Sequence, residues 1–272
     1  AHQGKWLKSA VGSNEIRGKV LGIVGYGHIG SQVSVLAEAF GLSVIFYDIT
    51  KKLSLGNAHQ VESLEELFKL SDFVTLHVPE TPETKNMITA RELSQMKKGA
   101  HFINASRGSV VVIDDLVSSL KSGHIGGAAI DVFPKEPASN NETFSSPLQG
   151  VENVILTPHI GGSTEEAQFA IGQEVADSLY RFSKYGSTEG SVNLPNINAP
   201  IRNNAKRMTN IHINKPGVLG EINSIISASG ANIEGQYLGT DDKIGYLIVD
   251  VQADMVGDLT AEIKKLDRCI LM

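Results

Sequence analysis

The chain has 272 residues, enough for two domains, and its 41% hydrophobic and 20% charged content is ordinary for a globular protein. A net charge of -6 argues against an electrostatic nucleic-acid footprint, and one cysteine, Cys269, excludes an intrachain disulfide framework or a multi-cysteine metal site. No apolar run approaches membrane-span length and no signal-peptide pattern opens the chain, so a soluble cytoplasmic protein without membrane or nucleic-acid partners is expected.

Ala1 to Ser9 has enough helix formers to predict the tail of a helix, with Trp6 and Leu7 as apolar contacts and Lys5 and Lys8 on a solvated face. Val11 to Gly18 predicts a polar connector. The next stretch organises the chain. An apolar run (Val20, Leu21, Ile23, Val24) enters the glycine turn Gly25-Tyr-Gly27-His-Ile-Gly30. A helical pattern (Val33, Leu36, Ala37, Phe40) follows, and a second apolar run, Val44 to Tyr47, ends in Asp48. Strand, glycine loop, helix, strand and acid in this order form the βαβ dinucleotide fingerprint. Gly25 allows the tight turn, Gly27 lets backbone approach a pyrophosphate, and Gly30 lets helix and strand pack closely. The pyrophosphate rests on the helix N-terminus beside His28 and Ile29. Asp48, 18 residues after Gly30, accepts from the adenosine ribose hydroxyls and repels the extra phosphate of NADP, so NAD is the expected cofactor; Lys51 and Lys52 temper that preference.

Further along, Ser63 to Leu70 predicts a short helix with a Ser63/Glu66 capping box, and Phe73 to Val78 a buried strand stopped by Pro79 and Pro82. Thr89 to Met96 predicts a helix with a Thr89/Glu92 start, Ala100 to Ala105 a strand, Ile113 to Leu120 a helix, and Ala128 to Val132 a strand. Phe133 to Gly150 is a long irregular loop, and Val154 to Leu156 one more strand. This alternation predicts a doubly wound parallel (Rossmann-like) α/β sheet, whose ligands bind at the C-terminal strand ends. Arg107, Asp131, Glu136 and His159 all follow strand ends, hence lie on one rim. Ser163 to Phe182 predicts a long amphipathic helix with a Ser163/Glu166 capping box, and Tyr185 to Pro200 a linker with an extended piece at Val192 to Leu194. From Ala205 the order strand, helix, strand, strand, helix, strand predicts a ferredoxin-like βαββαβ module. The expected division is 1–163 for the dinucleotide-binding domain, 164–204 for a return helix and linker, and 205–272 for the module. No residues stand at metal-ligand spacing.

The residues VGYGHIGSQ (24–32), HVPET (77–81), INASRG (103–108), GAAIDVFPKEP (127–137) and TPHIGGST (157–164) resemble the NAD-dependent D-isomer-specific 2-hydroxyacid dehydrogenases. IHINKPGVLGEIN (211–223) resembles an ACT domain, which narrows the resemblance to the phosphoglycerate-oxidising branch. Family members begin with a segment that builds most of the substrate domain and supplies basic groups for the substrate phosphate. That segment is not in this sequence, so 164–204 reads as a substrate-domain remnant and the chain as a fragment.

The resemblance implies acid–base chemistry at His159, with Glu136 orienting its ring, and substrate carboxylate and carbonyl binding at Arg107. It also implies that His77 (through its backbone), Val78, Pro79, Ala105, Ser106, Arg107, Asp131, His159, Gly161 and Gly162 line the cofactor site. In the ACT module, His212, Asn214 and Asn232 match positions that bind L-serine as effector. The implied reaction is NAD-dependent oxidation of a phosphorylated 2-hydroxy acid, 3-phospho-D-glycerate, in serine synthesis, by a homo-oligomer, with a tetramer plausible from two pairing surfaces. Alternatives are a glyoxylate/hydroxypyruvate or 2-oxoglutarate reductase, a non-enzymatic NAD-sensing regulator on the same fold, or a fragment that only binds cofactor and serine.

Overall fold

The protein is described by a computed structural model covering residues 1–6, 8–202, 204–252, 256–266 and 268–271. Two compact units, Ala1–Ser163 and Thr164–Met272, make up the chain.

The first unit is built on a parallel sheet. Its elements are β1 (Val20–Val24), α1 (His28–Ala39), β2 (Ser43–Tyr47), β3 (His59–Gln60), α2 (Leu64–Leu70), β4 (Phe73–Leu76), α3 (Ala90–Gln95), β5 (Ala100–Asn104), α4 (Ile113–Lys121), β6 (Ile125–Ile130) and β7 (Val154–Leu156). The sheet order is β3-β2-β1-β4-β5-β6-β7, and every pairing is parallel. Strands covered on both faces need continuous apolar runs rather than alternation, and Ile23, Phe46, Val74, Leu76 and Phe102 are accordingly fully buried. The order reverses between β1 and β4, which makes the C-terminal ends of these strands the expected ligand crevice.

Local chemistry explains several boundaries. Thr89 and Glu92 form the expected reciprocal capping box at α3. At α2 only half of the box forms: Ser63 Oγ accepts from the Glu66 amide, while the Glu66 carboxylate reaches the Glu62 amide instead. The strand expected over Ala128 to Val132 starts earlier and ends at Ile130, because Asp131 already turns its side chain into the site. β3, a two-residue strand, escaped the sequence reading. The helix expected over Ala1 to Ser9 does not form: the described residues make turns, Gly4 takes φ 73°, and Trp6 is exposed. Nine residues interrupted by a left-handed glycine cannot offset the cost of helix nucleation. Leu7, its other expected contact, lies outside the described residues.

In the second unit α5 (Glu165–Tyr185) precedes β8 (Ala205–Ile213), α6 (Val218–Ala228), β9 (Ile233–Thr240), β10 (Ile244–Gln252), α7 (Val256–Lys264) and β11 (Cys269–Leu271). The antiparallel sheet runs β11-β8-β10-β9, the ferredoxin-like order. Val218, Ile222 and Ile226 of α6 and Leu259 and Ile263 of α7 bury against Met208, Leu247, Val249 and Val251 on one face. The opposite face packs Tyr246 and Ile248 on Ala199 and Ile197, so residues 164–204 belong to this unit. The N-cap of α5 is Thr164, not the expected Ser163: Thr164 Oγ1 accepts from the Ala167 amide at 3.1 Å, while Ser163 N–H closes a turn onto Ile160. Ser191 to Leu194 is a series of bends stitched by Ser191 Oγ, in place of the expected extended piece.

The end of α5 is tied to the sheet. Tyr246 donates its hydroxyl proton to the Gly186 carbonyl at 2.7 Å. Arg207 on β8 donates to the carbonyls of Tyr185 (2.9 Å) and Pro200 (2.6 Å) and to both carboxylate oxygens of Asp250 at 2.7 Å. Asp250 is only 2% exposed, and its charge is met by Arg207 at 2.7 Å and, more distantly, by Arg202 at 3.9 Å.

Candidate active site and cofactor loop

Gly25 takes φ 93°, and a side chain there would meet the His77 carbonyl oxygen at 2.5 Å. A Cβ on Gly30 would sit 2.2 Å from the Gly25 oxygen. Both glycines are therefore demanded by the chain itself. Gly27 is not: its φ is -86°, and a Cβ would meet nothing within 4 Å. Gly27 thus opens onto free space at the N-terminus of α1, the concavity a pyrophosphate needs. The loop is anchored from within by Tyr26, whose ring stacks on Phe46 at 3.7 Å and whose hydroxyl meets Ser34 at 2.7 Å. Its amide donates to Asp48 Oδ2 at 2.9 Å, which joins the glycine loop to the acid that ends β2. The Thr50 amide and hydroxyl hold Asp48 Oδ1, both at 3.0 Å. Gln60, which the sequence reading passed over, bonds the Asp48 and Thr50 carbonyls and the Lys52 amide, fixing this turn. These groups fit a dinucleotide: an open glycine, exposed His28 and Ile29 at a helix start, and a fixed carboxylate at the end of β2.

On the other side of the reversal, β5, β6 and β7 lie side by side and deliver the chemistry-bearing residues to one rim. Glu136 and His159 form the central pair, Nδ1 of the imidazole standing 2.8 Å from Glu136 Oε2. Glu136 Oε1 accepts from the Phe133 amide at 2.9 Å, so the carboxylate is fixed at both oxygens. His159 has φ 54°, a left-handed conformation uncommon for a side-chain-bearing residue. Asp131 maintains it. Its Oδ1 accepts from Thr157 Oγ1 at 2.6 Å and the Ile160 amide at 2.9 Å, and Oδ2 from the Gly161 amide at 2.9 Å. Strained backbone of this kind persists where its surroundings over-determine it, and it concentrates at functional sites. A Cβ on Gly162 would meet nothing within 4 Å, so that glycine too faces open space.

Arg107 is exposed, and its Nη1 folds back onto the Ser106 carbonyl at 2.7 Å. Ala105 is exposed, whereas Ser106 is buried with its hydroxyl donated to Asn104. β4 ends at Leu76, so His77, Val78 and Pro79 follow it at the loop edge; the His77 ring meets Thr75 Oγ1 at 3.1 Å, leaving its backbone toward Gly25. Burial pushes the His77 pKa down, which favours a neutral ring. Beside the Glu136–His159 pair lies a cleft of about 710 Å³ lined by Phe133, Phe144, Leu156 and Pro158 among others, with no lysine or arginine on its walls.

Partial burial would raise the Glu136 carboxyl pKa, but the His159 ring N–H, the Phe133 amide and the imidazole charge outweigh it and lower the value. Asp131 behaves alike, its burial overcome by Thr157 and the two amides. Groups with depressed folded pKa values stabilise the fold above their unfolded values, near 4. That contribution disappears as pH falls through the lower folded values. Melting temperature should therefore drop steeply below about pH 4, and Asp131→Asn should flatten the drop; an identical acid profile in the variant would remove Asp131 from this account.

The three residues matched to an effector do not converge within one chain. His212 is buried, its Nδ1 2.9 Å from Asn210 Oδ1, and burial lowers its pKa. Asn214 is exposed and donates to the Asp241 carbonyl at 2.6 Å. Both stand at the end of the sheet where His212 pairs with Gly245. Asn232 precedes Ile233, which pairs with Val251 at the other end. Those pairs lie six residue steps apart along β10, about 20 Å at a rise of about 3.4 Å per residue.

Among the described residues no helix is long and apolar enough to cross a membrane, and no group of three metal-ligating side chains is found. Residues 208–270 match the AHAS small subunit-like ACT domain. D-3-phosphoglycerate dehydrogenase of Haemophilus influenzae is 55% identical over 99% of this chain and 66% of its own length. The enzyme of the same name from Dictyostelium discoideum is 50% identical with the same coverage. The chain thus spans just under two thirds of the length of these relatives. Among solved structures, the NAD-complexed D-isomer specific 2-hydroxyacid dehydrogenase of Lactobacillus delbrueckii ssp. bulgaricus is 32% identical, with a TM-score of 0.60 over 71% of this chain and 61% of that one. D-lactate dehydrogenase of Aquifex aeolicus, complexed with NAD and lactic acid, is also 32% identical, with a TM-score of 0.58 over 67% and 59%. Residues 1–161 match the NAD binding domain of the D-isomer specific 2-hydroxyacid dehydrogenases, and with the glycine loop, the fixed Asp48 and the rim of Arg107, Glu136 and His159 this establishes that the chain belongs to that family.

Proposed function

We propose that this chain is the cofactor-binding, catalytic and regulatory part of an NAD-dependent enzyme that oxidises 3-phospho-D-glycerate to 3-phosphohydroxypyruvate, the entry to serine synthesis. The observation that carries the reading is the Glu136–His159 pair at 2.8 Å, on the same rim as Arg107 and joined by one sheet to the open glycine loop. The substrate assignment rests on relatives of that name at 50–55% identity.

Gly27, His28, Ile29 and Asp48 would hold the adenosine half of NAD, and Ala105, Ser106, Asp131, Gly161 and Gly162 would surround the nicotinamide half. Held there, the cofactor would supply the acceptor for the hydride that leaves C2 of the hydroxy acid. His159 performs the proton chemistry. Glu136 occupies Nδ1, so Nε2 is the ring nitrogen left for substrate. It takes the C2 hydroxyl proton during oxidation and returns it during ketoacid reduction. The Glu136 carboxylate, ionised because its pKa is lowered, keeps the ring oriented and stabilises the imidazolium. Arg107 offers a planar fork for the substrate carboxylate and balances negative charge developing on the carbonyl oxygen. The cleft beside His159 has no lysine or arginine on its walls, so the basic groups for the substrate phosphate would come from elsewhere in the protein.

The ACT module would sense L-serine through His212, Asn214 and Asn232. Their placement at opposite ends of one sheet suits a site completed by two chains, in keeping with a homo-oligomer, a tetramer, working in the cytoplasm.

The test follows NADH consumption by the full-length protein with 3-phosphohydroxypyruvate, hydroxypyruvate and glyoxylate, each with and without L-serine. The phosphorylated ketoacid should turn over fastest and serine should suppress it. Asn214→Ala should keep turnover and lose suppression. Preference for glyoxylate would overturn the substrate, and undiminished inhibition in the variant would overturn the effector site.

A further inference from the structure

We infer that Asn104 is the positioning residue that fixes Arg107 relative to the Glu136–His159 pair; this rests on the role given to Arg107 above. Asn104 ends β5 and is 1% exposed. Its Oδ1 accepts from both the amide (3.0 Å) and the hydroxyl (2.8 Å) of Ser106, and its Nδ2 donates to the Arg107 carbonyl at 3.0 Å. Its own carbonyl accepts from the Asp131 amide at 2.9 Å. One side chain thus bridges both residues of the turn that carries Arg107 into the site. Only a carboxamide of this length both accepts twice and donates from a single buried position.

The next residue closes the arrangement. A Cβ on Gly108 would fall 2.0 Å from the Phe133 carbonyl carbon, so the Arg107 loop lies directly on the Phe133–Pro134 backbone. The Phe133 amide is the group held by Glu136 Oε1. Asn104 therefore sets where Arg107 leaves the sheet, and the Gly108–Phe133 contact carries that placement to the acid–base pair. Arg107 is exposed, and its guanidinium touches only its neighbour's carbonyl among the described contacts, so its backbone is what localises it.

Asn104→Asp tests this with minimal change of shape. The variant keeps both acceptor bonds to Ser106 and loses the donor to the Arg107 carbonyl. In the full-length protein, NADH binding followed by fluorescence should be unchanged, while kcat/KM for the 2-ketoacid falls by up to about a hundredfold, as for a misplacement of about 1 Å. Asn104→Ala, which also releases Ser106, should weaken NADH binding as well. In an Arg107→Ala background, Asn104→Asp should add nothing, because its effect passes through Arg107. If Arg107→Ala leaves ketoacid turnover intact, the role of Arg107 is wrong, and the positioning with it. If Arg107→Ala is impaired but Asn104→Asp is silent, or its loss simply adds to that of Arg107→Ala, the positioning alone is overturned. Loss of NADH binding in Asn104→Asp would also overturn it, by showing a general disruption of the rim.

Discussion

Replacing His159 with Asn is expected to lower ketoacid-dependent NADH oxidation by about 10²- to 10⁴-fold, the usual contribution of a general acid. Asn is the informative substitution because His159 sits at φ 54°, a conformation that Asn adopts more readily than most residues. An alanine there would mix loss of the proton carrier with backbone strain. Asn also retains a polar group toward Glu136, so the loop should keep its course. NADH affinity should survive, since the glycine loop and Asp48 lie on the far side of the sheet's reversal. Glu136→Gln should give a smaller loss with a distinct signature. A neutral amide still holds Nδ1 but no longer faces the imidazolium with a charge, so kcat should fall more than NADH affinity. An His159→Asn enzyme with near-normal turnover would show that the proton comes from elsewhere.

Removing the carboxylate of Asp250 should unfold the second unit far more readily. Asp250 is 2% exposed and Arg207 15%, and two bonds of 2.7 Å join them. The hydrogen bond to Asp250 is the main reason the Arg207 pKa is raised. Asp250→Ala leaves a largely buried guanidinium with only the Tyr185 and Pro200 carbonyls, and breaking such a pair costs about 3–5 kcal/mol. For a unit of this size that corresponds to a fall in Tm of more than about 10 °C. Calorimetry of the full chain should show the transition of 164–272 shifted while NADH binding by the first unit persists. Paired replacement of Asp250 and Arg207 by apolar residues of similar size should restore most of the loss, because no charge is then stranded. A shift below about 1 kcal/mol for Asp250→Ala, as for an exposed pair, would contradict this account.

What could be read beforehand was what local rules determine. The glycine spacing identified the turn because Gly25 and Gly30 are required by φ and by close backbone approach, both expressed within six residues. Glu136 and His159 could be assigned to one rim because both follow parallel strands, although their bond spans 23 residues. Choices between equivalent neighbours were not legible. Ser163 and Thr164 carry the same hydroxyl, and only the turn onto Ile160 decides which one caps α5. Asn104 looked like a strand residue, since a buried amide at the end of an apolar run carries no periodic signal. Asn232 was grouped with His212 and Asn214 by motif, and only the strand directions put them at opposite ends. The N-terminal helix failed for the converse reason: propensity alone does not sustain nine residues.

The seam between β1 and β4 has a consequence for how this molecule can diverge. Asp48 follows β2 and His159 follows β7, five strand spacings apart, or about 24 Å at about 4.8 Å each. Substitutions that far apart, in side chains that do not touch each other, act nearly independently on free energy. With the roles proposed for Asp48 and His159, cofactor preference and proton chemistry would be two separately adjustable traits, and a lineage could exchange one dinucleotide for another without rebuilding the residues around His159.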